Sequence, residues 1–193
     1  MKIGIMGGTF DPVHRGHLEM ALYCQKQFQL DRIMFLPVGD APHKPSVTGK
    51  ELRLKMLEAA VRDLPDCFVS RLETDRPGKT YTFDSLTWLR KNTPHEYFYI
   101  VGGDTVNTLH TWFRARDVFS MTTFLAVARP HVDMTEGLAL ARSLGARVLV
   151  TEHEGLDSSS TAVRENVRAG KSIRELIPEG VEEVIRTHGL YQN

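Results

Sequence analysis

The chain has 193 residues, 41% of them hydrophobic, which is enough to bury a sizeable core and argues against disorder. Its 24 basic residues balance 24 acidic ones, so no global field draws it to nucleic acid or to an anionic membrane. Any phosphate binding must come from a local site.

Lys2–Met6 reads as a first strand. The apolar run Met1 to Gly8 is too short for a signal peptide, and glycines interrupt it. No stretch approaches a membrane span, so a cytoplasmic location is expected. Gly16–Phe28 predicts a helix, and Arg32–Pro37 a second strand. A Pro- and Gly-containing loop, Gly39–Gly49, follows. Glu51–Arg62 carries helical apolar spacing at Leu54, Leu57 and Val61. Cys67–Leu72 is strand-like and Thr80–Lys91 helical. Glu96–Val101, Thr123–Val127 and Arg147–Val150 are apolar runs suited to buried strands. Helical stretches lie between and after them. Cys24 and Cys67 show neither CxxC pairing nor zinc-ligand spacing and predict two reduced thiols.

Strands alternating with helices predict an α/β fold, a Rossmann-like open parallel sheet with helices on both faces. One domain over residues 1–193 is expected, with 155–193 as a helical C-terminal segment. Ligands in such sheets bind beyond the C-terminal strand ends, which directs attention to the residues just after each strand.

The densest signal follows the first strand: Gly7-Gly8-Thr9-Phe10-Asp11-Pro12-Val13-His14-Arg15-Gly16-His17. The glycines let backbone N–H groups approach a ligand, and a helix N-terminus adds donors and a favourable dipole for anions. His14 and His17 are three residues apart and share a face if the helix begins near them. Three readings of the pair stand side by side. A metal site needs further ligands, and no HExxH or cysteine partner is present. A structural pair would cap backbone groups. A phosphate clamp would donate from both imidazoles to non-bridging oxygens, and the glycine-rich turn favours it. Gly78-Lys79-Thr80 looks like the tail of a P-loop, but Glu73 stands where the upstream glycine is required. Near the C-terminus lies Ser159-Ser160-Thr161-Ala162-Val163-Arg164. One of its hydroxyl residues can cap a following helix whose N-terminus faces an anion, and Arg164, one turn inside, can reach the same anion.

The first stretch closely resembles the GTFDPxHxGH motif of the nucleotidyltransferases that transfer AMP or CMP onto phosphates. The second matches their SSTxxR motif, with Ser158 where an aliphatic residue usually precedes it. Four more segments resemble the bacterial nicotinate-nucleotide adenylyltransferases. They are Ala41-Pro42-His43-Lys44, Tyr81-Thr82-Phe83-Asp84-Ser85, Gly102-Gly103-Asp104 with Thr111-Trp112-Phe113, and the ending Leu176-Ile177-Pro178 with Gly189-Leu190-Tyr191.

The resemblance implies an enzyme joining the AMP part of ATP to nicotinate mononucleotide, with ATP bringing Mg2+. It assigns Gly8, Thr9, Phe10, His14, His17, Asp104, Ser160, Thr161 and Arg164 to ATP. His14, His17, Lys44 and Arg164 become the catalytic residues. Trp112 would stack on the pyridine ring, with Ser85 and Phe113 offering backbone N–H groups to its carboxylate. Without the resemblance, Trp112 reads as a core aromatic, Asp104 as a helix cap and Lys44 as a solvated loop residue. Tyr191 reads as a packing anchor either way.

Overall fold

The computed structural model describes residues 1–40, 48–156 and 158–192, with the backbone alone at 152–154. Its strands are β1 (Lys2–Gly8), β2 (Arg32–Pro37), β3 (Cys67–Val69), β4 (Glu96–Gly102), β5 (Thr123–Ala128) and β6 (Arg147–Glu154). All pair in parallel in the order β3-β2-β1-β4-β5-β6. That is the doubly wound order, whose reversal point lies between β1 and β4. The Rossmann-like expectation holds.

The helices are α1 (Arg15–Gln27), α2 (Lys50–Val61), α3 (Thr82–Asn92), α4 (Gly103–Val106), α5 (Ala115–Met121), α6 (Thr135–Ser143), α7 (Ser160–Arg168) and α8 (Glu179–Thr187). A 3-10 turn, Leu109–Thr111, stands between α4 and α5. Strand periodicity decides which face each residue serves. Phe98 and Ile100 of β4, with Leu125 and Val127 of β5, pack under α1, α2, α7 and α8. Tyr97, Tyr99 and Val101, with Phe124 and Ala126, pack on the opposite face under α3, α5 and α6. Both faces are therefore covered, as the continuous apolar runs require.

Three boundaries differ from the sequence reading, each for a local reason. β1 runs on through Gly7 and Gly8 because they pair with Leu36 and Pro37 of β2. β3 stops at Val69, where the chain turns and Asp75 N–H reaches Arg71 O. α3 begins at Thr82, not Thr80, because Thr80 N–H is already given to Asp40 O and Lys79 bridges to Asp40. Gly78-Lys79-Thr80 thus serves a chain connection, as its missing glycine suggested. Cys24 and Cys67 are buried and free.

Candidate active site

At the sheet's reversal point, beyond the C-terminal ends of β1 and β4, lies a cleft of about 300 Å³. Gly7 and Gly8 end β1 on its floor, His17 and Met20 of α1 form one wall, and Thr82, Tyr99 and Trp112 form the opposite one. Asp104 and Arg129 close its end. Gly7 is required where it stands, because a Cβ there would collide with the Tyr99 hydroxyl.

His14 is the N-cap of α1. Its backbone N–H donates to His17 Nδ1 at 3.2 Å, and the two rings stack with centroids 3.7 Å apart. A backbone N–H can only donate, so His17 Nδ1 accepts and its ring proton sits on Nε2. Burial and then the charge of Arg129 bring the His14 imidazole down to about 4. Burial, then His14 and Arg129, hold His17 well below its ordinary value. Both rings are therefore neutral at pH 7. Capping and anion-facing readings are compatible here: the Nδ1 of His17 caps the helix, and Nε2 remains to donate. Among the described residues no cluster of three or more His, Cys, Asp or Glu could hold a metal.

The turn between β1 and α1 is gripped from distant parts of the chain. Phe10 takes a left-handed backbone with φ 51° and packs edge-on against His17 at 5.0 Å. Arg53 of α2, 1% exposed, donates to Thr9 O at 2.8 Å, Thr48 O at 3.2 Å and Gly39 O at 3.1 Å. Burial lowers its guanidinium pKa, and Asp11, Tyr191 and Asp40 oppose that. Tyr191 donates its hydroxyl to Asp11 Oδ1 at 2.6 Å, and Thr48 N–H donates to Asp11 Oδ2 at 3.0 Å. Tyr191 is thus the buried anchor expected, and it anchors to the turn itself.

The second motif meets the same turn. Ser159 caps α7, its hydroxyl accepting from Ala162 N–H at 3.1 Å. Ser160 donates to Pro12 O at 2.8 Å, and Arg164 Nη1 to Asp11 O at 2.8 Å. Arg164 Nη2 holds Thr161 Oγ1 at 3.1 Å. Two motifs more than 140 residues apart in sequence therefore form one rim.

Of the residues singled out from sequence, Gly8, His17, Asp104 and Trp112 line the cleft. His14, Thr9, Phe10, Ser160, Thr161 and Arg164 belong to the rim just described. Lys44 lies outside the described residues. Trp112 packs edge-on against Tyr99 at 5.6 Å and Phe124 at 6.0 Å, so it is half core and half wall. Phe113, 49% exposed, stacks against Tyr81 at 4.6 Å. Ser85 requires a correction. It is fully buried below the wall, its N–H is given to Tyr81 O at 3.2 Å, and its hydroxyl donates to Glu73 Oε1 at 2.6 Å. With α3 starting at Thr82, the first-turn donors that remain belong to Thr82 and Phe83.

Arg129 was missed in the sequence reading. It follows β5 directly and donates to Asp104 Oδ2 at 3.0 Å and to Ser158 O at 2.7 Å. The rule that residues after strands matter would have found it. Arg53 gave no such signal, since its neighbours mark α2 only as an amphipathic helix.

The chain matches the cytidylyltransferase-like family over residues 5–166. It is 44% identical over 193 residues to an Exiguobacterium sibiricum protein that carries the name "probable nicotinate-nucleotide adenylyltransferase", covering 99% of both chains. A protein of the same name from Synechococcus is 38% identical, with 98% of this chain and 94% of that one covered. Among solved structures, the Plasmodium falciparum nicotinic acid mononucleotide adenylyltransferase complexed with NaAD superposes with a TM-score of 0.84 at 18% identity. That match covers 98% of this chain and 97% of the other, and it supports the fold.

Proposed function

The chain belongs to the nicotinate-nucleotide adenylyltransferase family of cytidylyltransferase-like proteins, and on that premise we propose how its residues carry the reaction. The enzyme joins the AMP part of ATP to nicotinate mononucleotide, giving nicotinate adenine dinucleotide and pyrophosphate. The mononucleotide phosphate attacks the α-phosphorus of ATP in line. The nucleophile is already ionised, so no strong base is required. Positioning two anions and neutralising the charge that develops is the catalytic task.

The observation that carries this reading is the pair of neutral histidines in ring contact at the start of α1, with His17 lining the cleft whose opposite wall is formed by Trp112. His17 Nε2 donates to an α-phosphate oxygen without first taking up a proton. His14 supports it and faces the same phosphates. The backbone N–H groups of Ser160 and Thr161 at the start of α7, the Thr161 hydroxyl and the fork of Arg164 hold the β- and γ-phosphates, and the resemblance assigns Lys44 to the same charges. Gly8, Thr9 and Phe10 contact the nucleotide through the turn, and Asp104 lies at the nucleoside end. Trp112 stacks on the pyridine ring. Its carboxylate is received by the N–H of Phe113 and by the first turn of α3 at Thr82 and Phe83, the positions freed by the correction at Ser85.

This donor set suits anions. Mg2+ carried in on ATP would offset phosphate charge and make pyrophosphate a better leaving group. Pyrophosphate release from ATP and magnesium, with nicotinate mononucleotide and phosphopantetheine as parallel acceptors, tests the reading. Turnover is expected with the mononucleotide alone, and turnover with phosphopantetheine alone would overturn it. Replacing ATP with CTP in the same assay should abolish release.

A further inference from the structure

Ser158 occupies a position expected to be aliphatic, directly before the residue that caps α7, and it is 8% exposed. Its hydroxyl lies 3.0 Å from His14 Nδ1. Its carbonyl accepts from Arg129 Nη2 at 2.7 Å, and the other arm of that guanidinium holds Asp104 at 3.0 Å. Gly16 makes the space, since a Cβ there would collide with the Ser158 hydroxyl. The hydroxyl is thus wedged between α1 and the start of α7, facing one imidazole.

The direction of the bond follows from what each partner can do. Among the described residues, His14 Nδ1 is the one acceptor within hydrogen-bond reach of the Ser158 hydroxyl proton. If Nδ1 carried the ring proton, the hydroxyl would have to accept, and its own proton would be stranded in a buried place. If the hydroxyl donates, both groups are satisfied and the His14 proton moves to Nε2. We infer that Ser158 is a positioning residue, whose hydroxyl donates to His14 Nδ1 and fixes the ring as its Nε2–H tautomer. The inference rests on the proposed role of the two histidines in holding phosphate.

The consequence is a matched pair. The backbone N–H of His14 sets His17 as an Nε2 donor, and Ser158, together with the reciprocal capping contact from the His17 backbone N–H to the His14 side chain, sets His14 as another. Burial keeps His14 neutral at pH 7, so it is the tautomer, not the charge, that has to be specified. The same residue ties this setting to the end of the cleft, because the Ser158 backbone is held by Arg129. A phosphate oxygen arriving at the Nε2 edges of the two rings then meets two N–H donors, with no lone pair turned towards it. A space-filling role for Ser158 would predict that any small side chain serves as well.

The test uses the full chain with 15N-labelled histidine and records the ring-nitrogen shifts of His14, assigned by their loss in His14→Gln. In the unsubstituted chain, His14 should show a protonated Nε2 and a hydrogen-bonded Nδ1. In Ser158→Ala, the Nδ1 shift should move to that of an unbonded acceptor and a Nδ1–H population should appear. The kcat should then fall by on the order of 10-fold with little change in KM for ATP, less than the roughly 10²-fold of losing a donor outright. Unchanged His14 nitrogens in Ser158→Ala would overturn the inference. Shifted nitrogens with unchanged kcat would keep the Ser158 link and remove His14 from the catalytic reading instead. Should the alanine variant not fold, Ser158→Cys supplies a weaker donor of similar size. It must give an intermediate Nδ1 shift, and a shift identical to the unsubstituted chain would overturn the inference.

Discussion

The two sides of the cleft are held in different ways. On the phosphate side, the turn from Thr9 to His17 is fastened by Arg53, Ser158, Ser160, Arg164 and Tyr191, nearly all through hydrogen bonds to its backbone or its polar side chains. On the acceptor side, Trp112 and Phe113 are held by ring contacts with Tyr99, Phe124 and Tyr81. Hydrogen bonds fix direction as well as distance, whereas aromatic packing fixes a surface and tolerates small shifts. The difference matches the tasks proposed for each side. Charge that develops on a phosphate needs donors already aimed, because reorienting them during reaction costs free energy. A pyridine ring needs a flat face and a few backbone donors.

The contrast can be broken most severely at His17. His17→Ala should lower kcat by roughly 10²–10³-fold, the scale of a lost oxyanion donor, with little change in thermal midpoint. Steady-state kinetics and a melting curve on the same sample check it, and near-normal turnover would reduce His17 to a helix cap. On the other wall, Trp112→Ala should act through the mononucleotide. Loss of base stacking costs about 1–3 kcal/mol, read as a raised KM for nicotinate mononucleotide with KM for ATP nearly unchanged. Trp112→Phe should recover part of it, which a purely structural defect would not separate by substrate.

Arg164→Lys sharpens the comparison within the phosphate side. It keeps the charge but loses the planar fork, at about 1.5 kcal/mol for one charged hydrogen bond. ATP affinity should fall by on the order of 10-fold, with the mononucleotide much less affected. Equal losses for both substrates would make Arg164 a strut for Asp11 and nothing more. Tyr191→Phe is expected to be the mildest. It keeps the packing and loses one hydrogen bond to Asp11, about 1 kcal/mol of stability by denaturant titration. Turnover should fall only slightly, because Arg53, Ser160 and Arg164 still hold the turn.

The same contrast governs what the sequence could reveal. The strand–helix alternation and the local motif were readable because their members are neighbours along the chain. Two imidazoles at helical spacing announce a shared face whatever surrounds them. The fastenings were not readable. Arg53 looks like any polar residue beside an apolar helix stripe, and its three carbonyl partners come from segments that meet only in the fold. Tyr191 was placed correctly as an anchor, but not what it anchors to, 180 residues away. Ser158 looked like a lapse in packing and proved to be a polar contact to His14. The role given to Ser85 came from the resemblance, which does not say where its backbone N–H goes. In the fourth position of α3 that N–H is taken by Tyr81 O and the side chain faces Glu73, so the free first-turn donors lie upstream.

Those upstream donors bear on the central question, whether the acceptor wall recognises a carboxylate. Backbone N–H groups cannot become acceptors, so a nicotinamide amide would set a donor against a donor at one of its two positions. The N-terminus of α3 adds attraction for negative charge. Each mismatch costs about 1–3 kcal/mol. Competition between nicotinate and nicotinamide mononucleotides for limiting enzyme, with ATP and magnesium saturating, measures this directly as a ratio of kcat/KM. A preference for the nicotinate form by roughly 10-fold to several hundred-fold is expected; equal efficiencies, or a preference for the amide, would contradict the assignment of the wall formed by Thr82, Phe83, Trp112 and Phe113.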